Sequence, residues 1–250
     1  MLTVTRVVHA SVLLDFGGAR ILTDPWFSER RFYRPGEPRG IATAAELPAL
    51  AGIVISHEHY DHCDLDALAA YPDKSVPFAV AKGIARRVRA TGFTDVVELD
   101  PWESTHLGPV EVIATPASHG VPEVTFILRA DGHTAYFGAD TRRIADLDEI
   151  PARFPEIDLA LLPINGLRIR PLGNRQAVMD ATEAAGFTRV LRPRLAVPIH
   201  YAFTSGPIGD RIMTKSTRNR PDLYRDATTD LAPDTAVHIL DPGMPLPVAN

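Results

Sequence analysis

Histidine and aspartate side chains are concentrated in one short stretch of this chain. Residues 56–62 read Ser-His-Glu-His-Tyr-Asp-His and place four candidate metal ligands within six residues, directly after an apolar run. Imidazole nitrogens and carboxylate oxygens suit zinc and comparable divalent ions. In an extended segment, side chains two residues apart point to the same side, so His57 and His59 can face one metal ion. A tight turn after them would direct Asp61 and His62 toward a second ion close by.

Three further candidate ligands lie elsewhere in the chain, and each follows a predicted strand. They are His119, Asp140 and His200. Functional residues gather on loops, so these candidates converge if the strand ends line one rim of the sheets. Taken alone, His119 or His200 is equally well interpreted as a histidine of a surface loop. Their shared position after strands, together with the first cluster, favours a common metal site over a chance group of polar loop residues.

The order and the gaps of these residues resemble the motif of the metallo-β-lactamase superfamily, over most of the chain between residues 7 and 203. The resemblance implies one hydrolase domain over residues 1–250, of the α/β (α+β) class, folded as a four-layer αββα sandwich with its site at the sheet edge. It implies two metal positions: His57, His59 and His119 would form the first, Asp61, His62 and His200 the second, and Asp140 would bridge both. We expect two divalent ions, with zinc favoured and manganese or iron as alternatives.

Three segments resemble one branch of that superfamily, which includes L-ascorbate-6-phosphate lactonase and the N-acyl-phosphatidylethanolamine-hydrolysing phospholipase D. They are His9-Ala10-Ser11, Leu22-Thr23-Asp24-Pro25 and the cluster at 56–62. The superfamily's usual Gly-Asp-Thr is here Gly138-Ala139-Asp140-Thr141, with one residue inserted. Because they lie beside these motifs, His9, Asp24 and Thr141 are candidates for fixing the imidazole tautomers, although each is equally well a plain structural residue.

Two ions held by such ligands would lower the pKa of a shared water to roughly 7 and supply a hydroxide nucleophile. We therefore expect an enzyme that hydrolyses a lactone, ester, amide or phosphoester bond of a small substrate. Asp61 is the predicted catalytic residue, which would orient the water and pass a proton to the leaving group. The alternative is a dinuclear-iron oxidoreductase or oxygenase on the same fold. Flavodiiron relatives carry glutamate at the position of His59, so the histidine here argues against that branch.

The predicted substrate contacts are Asn165, Arg168 and Tyr201. The first two lie in loop 163–175, which carries three arginines. Arginine suits bidentate binding of carboxylate or phosphate, which favours an anionic substrate. Tyr201 could donate to an oxyanion. The alternative interpretation is that the arginines are solvated surface residues. Aromatic side chains in the early loop could wall an apolar pocket or simply pack beneath the loop: Trp26, Phe27, Phe32 and Tyr33.

The composition narrows the class of protein. A formal charge of −5 and a pI near 6.0 give no basic excess, so we expect no nucleic-acid partner. No apolar run approaches the roughly 20 residues that span a bilayer, so we expect no membrane insertion. The N-terminus lacks the profile of a signal peptide, and Cys63 is the only cysteine, which together predict a cytoplasmic protein. A homo-oligomer is left open.

Alternating polarity predicts strands in runs, with helices between some of them, as expected for helices packed outside a pair of sheets. The predicted strands cover residues 2–9, 11–16, 19–23, 52–56, 78–81, 96–99, 110–114, 123–129, 134–137, 159–162, 195–199 and 236–240. The predicted helices cover residues 64–70, 83–91, 175–185 and 221–229. Asp131-Gly132 marks a hairpin turn between two of the strands.

Overall fold

The computed structural model describes residues 1–214 and 220–249. Its strands are β1 Leu2–Val8, β2 Ser11–Phe16, β3 Ala19–Thr23, β4 Arg34–Pro35, β5 Gly52–Ile55, β6 Phe78–Ala81, β7 Val96–Leu99, β8 Ser104–Leu107, β9 Val110–Thr115, β10 Thr125–Ala130, β11 His133–Phe137, β12 Leu159–Pro163, β13 Arg168–Ile169, β14 Arg175–Gln176, β15 Leu195–Ile199, β16 Phe203–Thr204, β17 Met213–Thr214, β18 Ala236–Val237 and β19 Pro245–Pro247. Its α-helices are α1 Leu65–Leu68, α2 Ala85–Arg89, α3 Glu149–Arg153, α4 Ala181–Leu191, α5 Gly206–Ile212 and α6 Pro221–Leu231. Short 3-10 helices cover Ala44–Glu46, Ala145–Asp148 and Arg170–Leu172.

Two seven-stranded sheets form the centre of the protein. The first has the order β19-β1-β2-β3-β5-β6-β7, and the second has the order β18-β15-β12-β11-β10-β9-β8. Each sheet is antiparallel in one part and parallel in the other: β3, β5, β6 and β7 run parallel, as do β11, β12, β15 and β18. Parallel neighbours end at the same edge of a sheet, so the loops after these strands are brought together.

The main apolar core lies between the two sheets. Successive residues of a strand point to opposite faces. Thus Phe126 and Leu128 of β10 join the core shared with the first sheet, whereas Ile127 between them joins a second cluster with α3, α4 and α6. The other outer face is covered by side chains of α1 and α2, such as Leu68 and Val88. This arrangement confirms the predicted αββα layering.

Most predicted strands are confirmed within one or two residues, but the helix predicted at 175–185 is placed too early. Arg175–Gln176 is instead a short strand paired with β13, and the helix runs over Ala181–Leu191. It begins there because the Asp180 side chain accepts from the backbone N–H groups of the first turn, while Glu183 accepts from the backbone N–H of Asp180. This reciprocal capping gives hydrogen-bond acceptors to backbone N–H groups at the start of the helix. A helix that began earlier in the chain would not have these acceptors at its first turn. Of the helices in the described ranges, none is long and apolar enough to cross a bilayer.

Candidate metal centre

Three histidines meet at one rim of the sheets and form what we call the first position. His57 and His59 follow β5, and His119 lies in the loop after β9. The His59 Nδ1 atom lies 3.0 Å from His57 Nε2 and 3.1 Å from His119 Nε2. All three ring nitrogens can therefore face one small ion. This is the group that the sequence predicted for one metal.

Beside it, Asp61, His62 and His200 form the second position, with every side chain buried. The Asp61 Oδ2 atom lies 3.9 Å from His62 Nε2 and 4.0 Å from His200 Nε2. Both His62 and Asp61 come from the loop after β5, whereas His200 follows β15 directly. The loop after β5 thus contributes to both positions.

Asp140, in the loop after β11, lies between the two positions. Its Oδ2 atom is 4.0 Å from His57 Nε2 and 3.9 Å from His119 Nε2. Its Oδ1 atom is 3.3 Å from His62 Nε2 and 2.9 Å from His200 Nε2. Each carboxylate oxygen therefore faces a different group of ligands, which is the placement required of a bridging carboxylate.

The residues present fit a metal ion. The Nε2 atoms of His62 and His200 and the Oδ1 atom of Asp140 are buried, and none has a hydrogen-bond partner among the described residues. A buried polar atom without a partner costs about 1–3 kcal/mol. Tetrahedral ligands about 2.0–2.1 Å from a zinc ion are separated from each other by about 3.3 Å, within the range of these spacings. A cation at the second position would satisfy these unpaired atoms, and at the first position the three facing ring nitrogens have the spacing of metal ligands.

A second layer of groups holds the imidazoles in place. Asp24 accepts from the Ser56 backbone N–H at 2.7 Å and lies 2.7 Å from His62 Nδ1. On the other side, His119 Nδ1 lies 2.9 Å from a backbone carbonyl oxygen, that of Ala177. Such contacts fix which ring nitrogen is free to bind a metal. Asp24, which the sequence placed beside the motif, thus contacts His62 directly, and its role in fixing the tautomer of that ring stays a prediction.

Glu123 is a buried carboxylate that the sequence analysis did not single out. Its Oε1 atom accepts from the Asp140 backbone N–H at 2.9 Å and lies 3.4 Å from His57 Nδ1. It thereby connects the loop that carries Asp140 to a histidine of the first position. A lone glutamate just before a strand carries no local signal for this role, because its partners are distant in the sequence. Thr141 accepts from the Ser118 backbone N–H at 2.9 Å.

His9, between β1 and β2, joins the second position. It is fully buried, and its Nε2 atom lies 3.3 Å from Asp61 Oδ2. Its ring centroid is 3.9 Å from that of His200. Asp61, His62, His200 and His9 offer ligand atoms within 4.8 Å of one another. The sequence placed His9 beside the motif, and the structure places its imidazole against Asp61.

Backbone conformation at this rim is strained. Four non-glycine residues there have φ in the left-handed region: His9 at 56°, Asp24 at 37°, Ala139 at 43° and His200 at 56°. Such conformations cost of the order of 1–3 kcal/mol each and persist where the surrounding structure imposes them. Ala139 is the residue inserted into the superfamily's usual Gly-Asp-Thr, and its left-handed turn leaves Asp140 facing the cluster.

The two positions differ in charge. Burial lowers the pKa of His57, His59 and His119, so their imidazoles are neutral. Burial also opposes a charge on His62, but the carboxylates of Asp140 and Asp61 outweigh it and raise the pKa of His62 well above its ordinary value.

The carboxylates of Asp140 and Asp61 are ionised. Burial alone would raise the pKa of Asp140, but the imidazoles of His200 and His62 outweigh it and hold that pKa well below its ordinary value. The pKa of Asp61 is likewise lowered, because His62 and His9 outweigh its burial. Burial lowers the pKa of His9 itself to about 3, so that ring is neutral. The centre thus offers negative oxygens from Asp140 and Asp61 and neutral nitrogens at the first position, donors that suit a divalent cation, whereas His62 must lose its proton before it can bind one.

A cavity of about 260 Å³ opens directly onto the cluster. Five members of the cluster form its floor: His59, Asp61, His119, Asp140 and His200. Its walls are mainly apolar: Tyr33, Leu167, Ile169, Leu172, Ala177 and Phe203. Of the early aromatic residues, Tyr33 lines the cavity, whereas Trp26 and Phe27 are buried in the core. A larger cleft of about 470 Å³ lies near Arg129 and Arg153 and includes no member of the cluster.

The three predicted substrate contacts occupy other environments. Asn165 is buried, and its side-chain amide lies 2.8 Å from His200 Nδ1. The exposed Arg168 guanidinium donates to the Gln176 side chain at 2.6 Å. Arg6 donates to the Tyr201 hydroxyl at 2.6 Å. None of the three is among the described residues that line the cavity. Their contact with substrate stays a prediction, and Asn165 is placed to orient His200.

Comparison with known proteins identifies the class of protein. The model of the β-lactamase superfamily domain matches residues 19–201, and this chain belongs to that family. With its paired sheets and flanking helices, the protein has the metallo-β-lactamase fold. Among solved structures, a metallo hydrolase from the archaeon Ignicoccus hospitalis is similar, with a TM-score of 0.72 and 22% identity, over 98% of this chain and 97% of that one. A diiron β-hydroxylase from Streptomyces venezuelae has a TM-score of 0.74 at 20% identity, over 96% of this chain and 53% of that one.

Two curated relatives are informative in sequence. A protein named as a metal-dependent hydrolase from Caldivirga maquilingensis is 28% identical over 240 residues, which cover 94% of this chain and 93% of the relative. An uncharacterized protein of Mycobacterium tuberculosis is 30% identical over 227 residues, or 80% of this chain. That match spans only 58% of the mycobacterial protein.

Proposed function

We propose that this protein is a metal-dependent hydrolase that uses two divalent metal ions to cleave a lactone, ester, amide or phosphoester bond of a small molecule. The observation that carries the proposal is the placement of Asp140, whose two oxygens face two different groups of metal-ligand atoms. The name of the Caldivirga relative supports hydrolysis. Zinc is the favoured metal because histidine nitrogens dominate the donor set, and manganese and iron are alternatives.

Different residues would bind the metal ions and transfer protons. His57, His59 and His119 would hold one ion, while Asp61, His62 and His200 would hold the other, with Asp140 shared. When bound, such a pair lowers the pKa of water and polarises the oxygen of the scissile group. Asp61 is on the cavity floor, where its carboxylate can orient the attacking water and carry a proton to the leaving group.

Several buried residues support these ligands. Asp24 and Asn165 fix the rings of His62 and His200, and Glu123 holds the backbone of Asp140. Rigid support matters because two metal ions activate water only while their ligands keep their spacing. We propose that all of residues 1–250 form one such hydrolase domain acting in the cytoplasm.

A second candidate function is oxidation by a pair of iron ions. It is favoured by the similarity in fold to the diiron β-hydroxylase, which at 20% identity shows the fold alone. His59 argues against a flavodiiron-type site, in which glutamate occupies this position. Hydrolysis requires no reductant, whereas dioxygen activation by two ferrous ions does. Oxygen consumption by the iron-loaded protein with a reductant, together with an iron–oxo absorption band, would favour this second function.

The test of hydrolysis is a metal titration of the chelator-treated protein. Zinc, manganese or ferrous iron is added stepwise while turnover of a p-nitrophenyl ester, a lactone and bis(p-nitrophenyl) phosphate is followed. We expect no turnover without metal and a plateau at two ions per chain. Turnover that survives chelation, or that saturates at a single ion, would contradict the proposal.

A further inference from the structure

The walls of the cavity above the metal centre differ in character from its floor. Whereas the floor is made of the His and Asp cluster, the walls present apolar groups from three separate segments, including Tyr33, Leu167 and Phe203. Resting on the proposed hydrolysis, we propose that the substrate carries an uncharged, apolar acyl or alkyl group next to the scissile bond, and that this cavity binds that group. The sequence had favoured an anionic substrate instead.

The charges around the cavity support an uncharged ligand. Among the described residues that line it, none is a lysine or an arginine, and the two charged side chains are the carboxylates of Asp61 and Asp140. Away from the metal ions proposed for the floor, an anionic substituent against the walls would meet no cationic side chain and would lose its hydration. Arg168, the candidate partner of an anion, is exposed and donates to Gln176 and to a backbone carbonyl.

The rim of the cavity supports the same conclusion. Leu172 ends the short 3-10 helix Arg170–Leu172 and lines the cavity, yet 65% of its surface is exposed. A bound apolar group would cover this side chain and remove both surfaces from water. The cavity of about 260 Å³ has room for roughly eight groups the size of a water molecule or methylene, at about 30 Å³ each. The part of the group that the cavity encloses is therefore of medium length.

Alkyl hydroxamates provide a test that does not depend on turnover. The hydroxamate chelates the metal, and its alkyl chain extends into the cavity. Calorimetric titration of the metal-loaded protein would compare chains from two to about ten carbons. We expect the dissociation constant to fall about fourfold for each added methylene and to level off at roughly six to eight carbons. Hydroxamates of equal length that end in a carboxylate should bind at least tenfold more weakly than the methyl-ended ones.

Other outcomes separate this inference from the function on which it rests. Metal-dependent binding with no effect of chain length, or with equal or tighter binding of the carboxylate-ended compounds, overturns the apolar site and leaves the metal centre intact. Hydroxamates that bind no better with metal than without contradict the metal centre itself, and the inference falls with it.

Exposed positions provide variants that should fold normally. Leu172→Ser should weaken octanohydroxamate about fourfold to tenfold and leave acetohydroxamate unchanged, because only the longer chain reaches the rim. Ile208→Ser is the matched control, since Ile208 is 63% exposed and does not line the cavity. Leu172→Arg should reduce or reverse the penalty for the carboxylate-ended compounds. Equal effects of the two serine variants, or no effect of the arginine on charge preference, would overturn the assignment.

Discussion

The two halves of the metal centre are built from different chemistry. The first position is a trio of neutral imidazoles, and two of its members, His59 and His119, are partly exposed. The second position is buried throughout and combines Asp61 with a histidine, His62, whose pKa is raised well above its ordinary value. The first is ready to bind a cation, whereas the second must first release a proton. Asp140 lies between the two positions, so the loss of either ion should weaken the binding of the other.

The largest effect is expected from the side chain common to both positions. Asp140→Ala removes one ligand from each, and we expect turnover to fall by about 10³-fold or more, with weaker retention of both ions. Metal content and turnover are measured on the same preparation. Asp158→Ala is the control, since Asp158 is also buried and accepts from the Thr134 backbone N–H, distant from the cluster. Turnover within tenfold of the wild type would show that the positions do not depend on a shared carboxylate.

A smaller loss of turnover is expected when only Asp61, the proposed proton carrier, is changed. Asp61→Asn keeps an oxygen ligand at the second position but removes the basic carboxylate. We expect turnover to fall by about 10²-fold to 10³-fold at a similar metal content, because general acid–base catalysis contributes an effect of that size. Single-turnover kinetics with matched metal loading would measure it. An unchanged rate would refute the catalytic role of Asp61.

The hydrogen-bond partner of a ligand at the second position can be removed while the proposed metal ligands stay unchanged. Asp24→Ala deletes the partner of His62 Nδ1 and leaves the Ser56 backbone N–H without its acceptor. We expect the affinity for the second ion to fall about 10-fold to 100-fold, the usual consequence of losing such a partner. The first ion should bind as before, which competition with a fluorescent chelator would show. Equal weakening of both ions would indicate a general loss of structure instead.

The smallest effect is expected from a change of pH, which should alter the metal affinity of one position more than that of the other. Burial lowers the pKa values of His57, His59 and His119, so protons compete with the first ion only below the ordinary value of 6.5. The raised pKa of His62 means that, below it, a proton must leave before the second ion binds. From about pH 6 to pH 8 we expect the affinity of the second ion to rise and that of the first to stay nearly constant. Calorimetry in buffers of different ionisation enthalpy would detect the released proton. If the affinities of both ions changed with pH in the same way, the expected difference in proton competition between the two positions would be contradicted.

Local patterns were sufficient to predict most strands and to single out the seven candidate ligands. Strict alternation and turn residues such as Asp131-Gly132 mark strand boundaries, and the hairpin there is confirmed by the pairing of Ala130 with His133. The spacing at 56–62, followed by a candidate after each of three later strands, led to seven residues that the structure brings together. Because parallel strands end at one edge, position in the chain carried information about position in space.

Contacts between distant segments could not be predicted in this way. The two-residue strands β13, β14 and β17 have no periodicity of their own and form only by pairing with one another. The partners of Glu123 and Asn165 lie on other loops, so their support of Asp140 and His200 has no local signature. The error at the helix Ala181–Leu191 has a different cause. Asp180 and Glu183 form a capping signal that is visible in the sequence, so the start of this helix could have been predicted correctly.

The most direct test of a paired centre is anomalous diffraction from crystals of the zinc-loaded or manganese-loaded protein. Two peaks separated by about 3.5–4 Å are expected, with His57, His59 and His119 around one and Asp61, His62 and His200 around the other. Density for the Asp140 carboxylate should lie between them. A single peak at saturating metal, or two peaks with Asp140 bound to only one, would contradict the account.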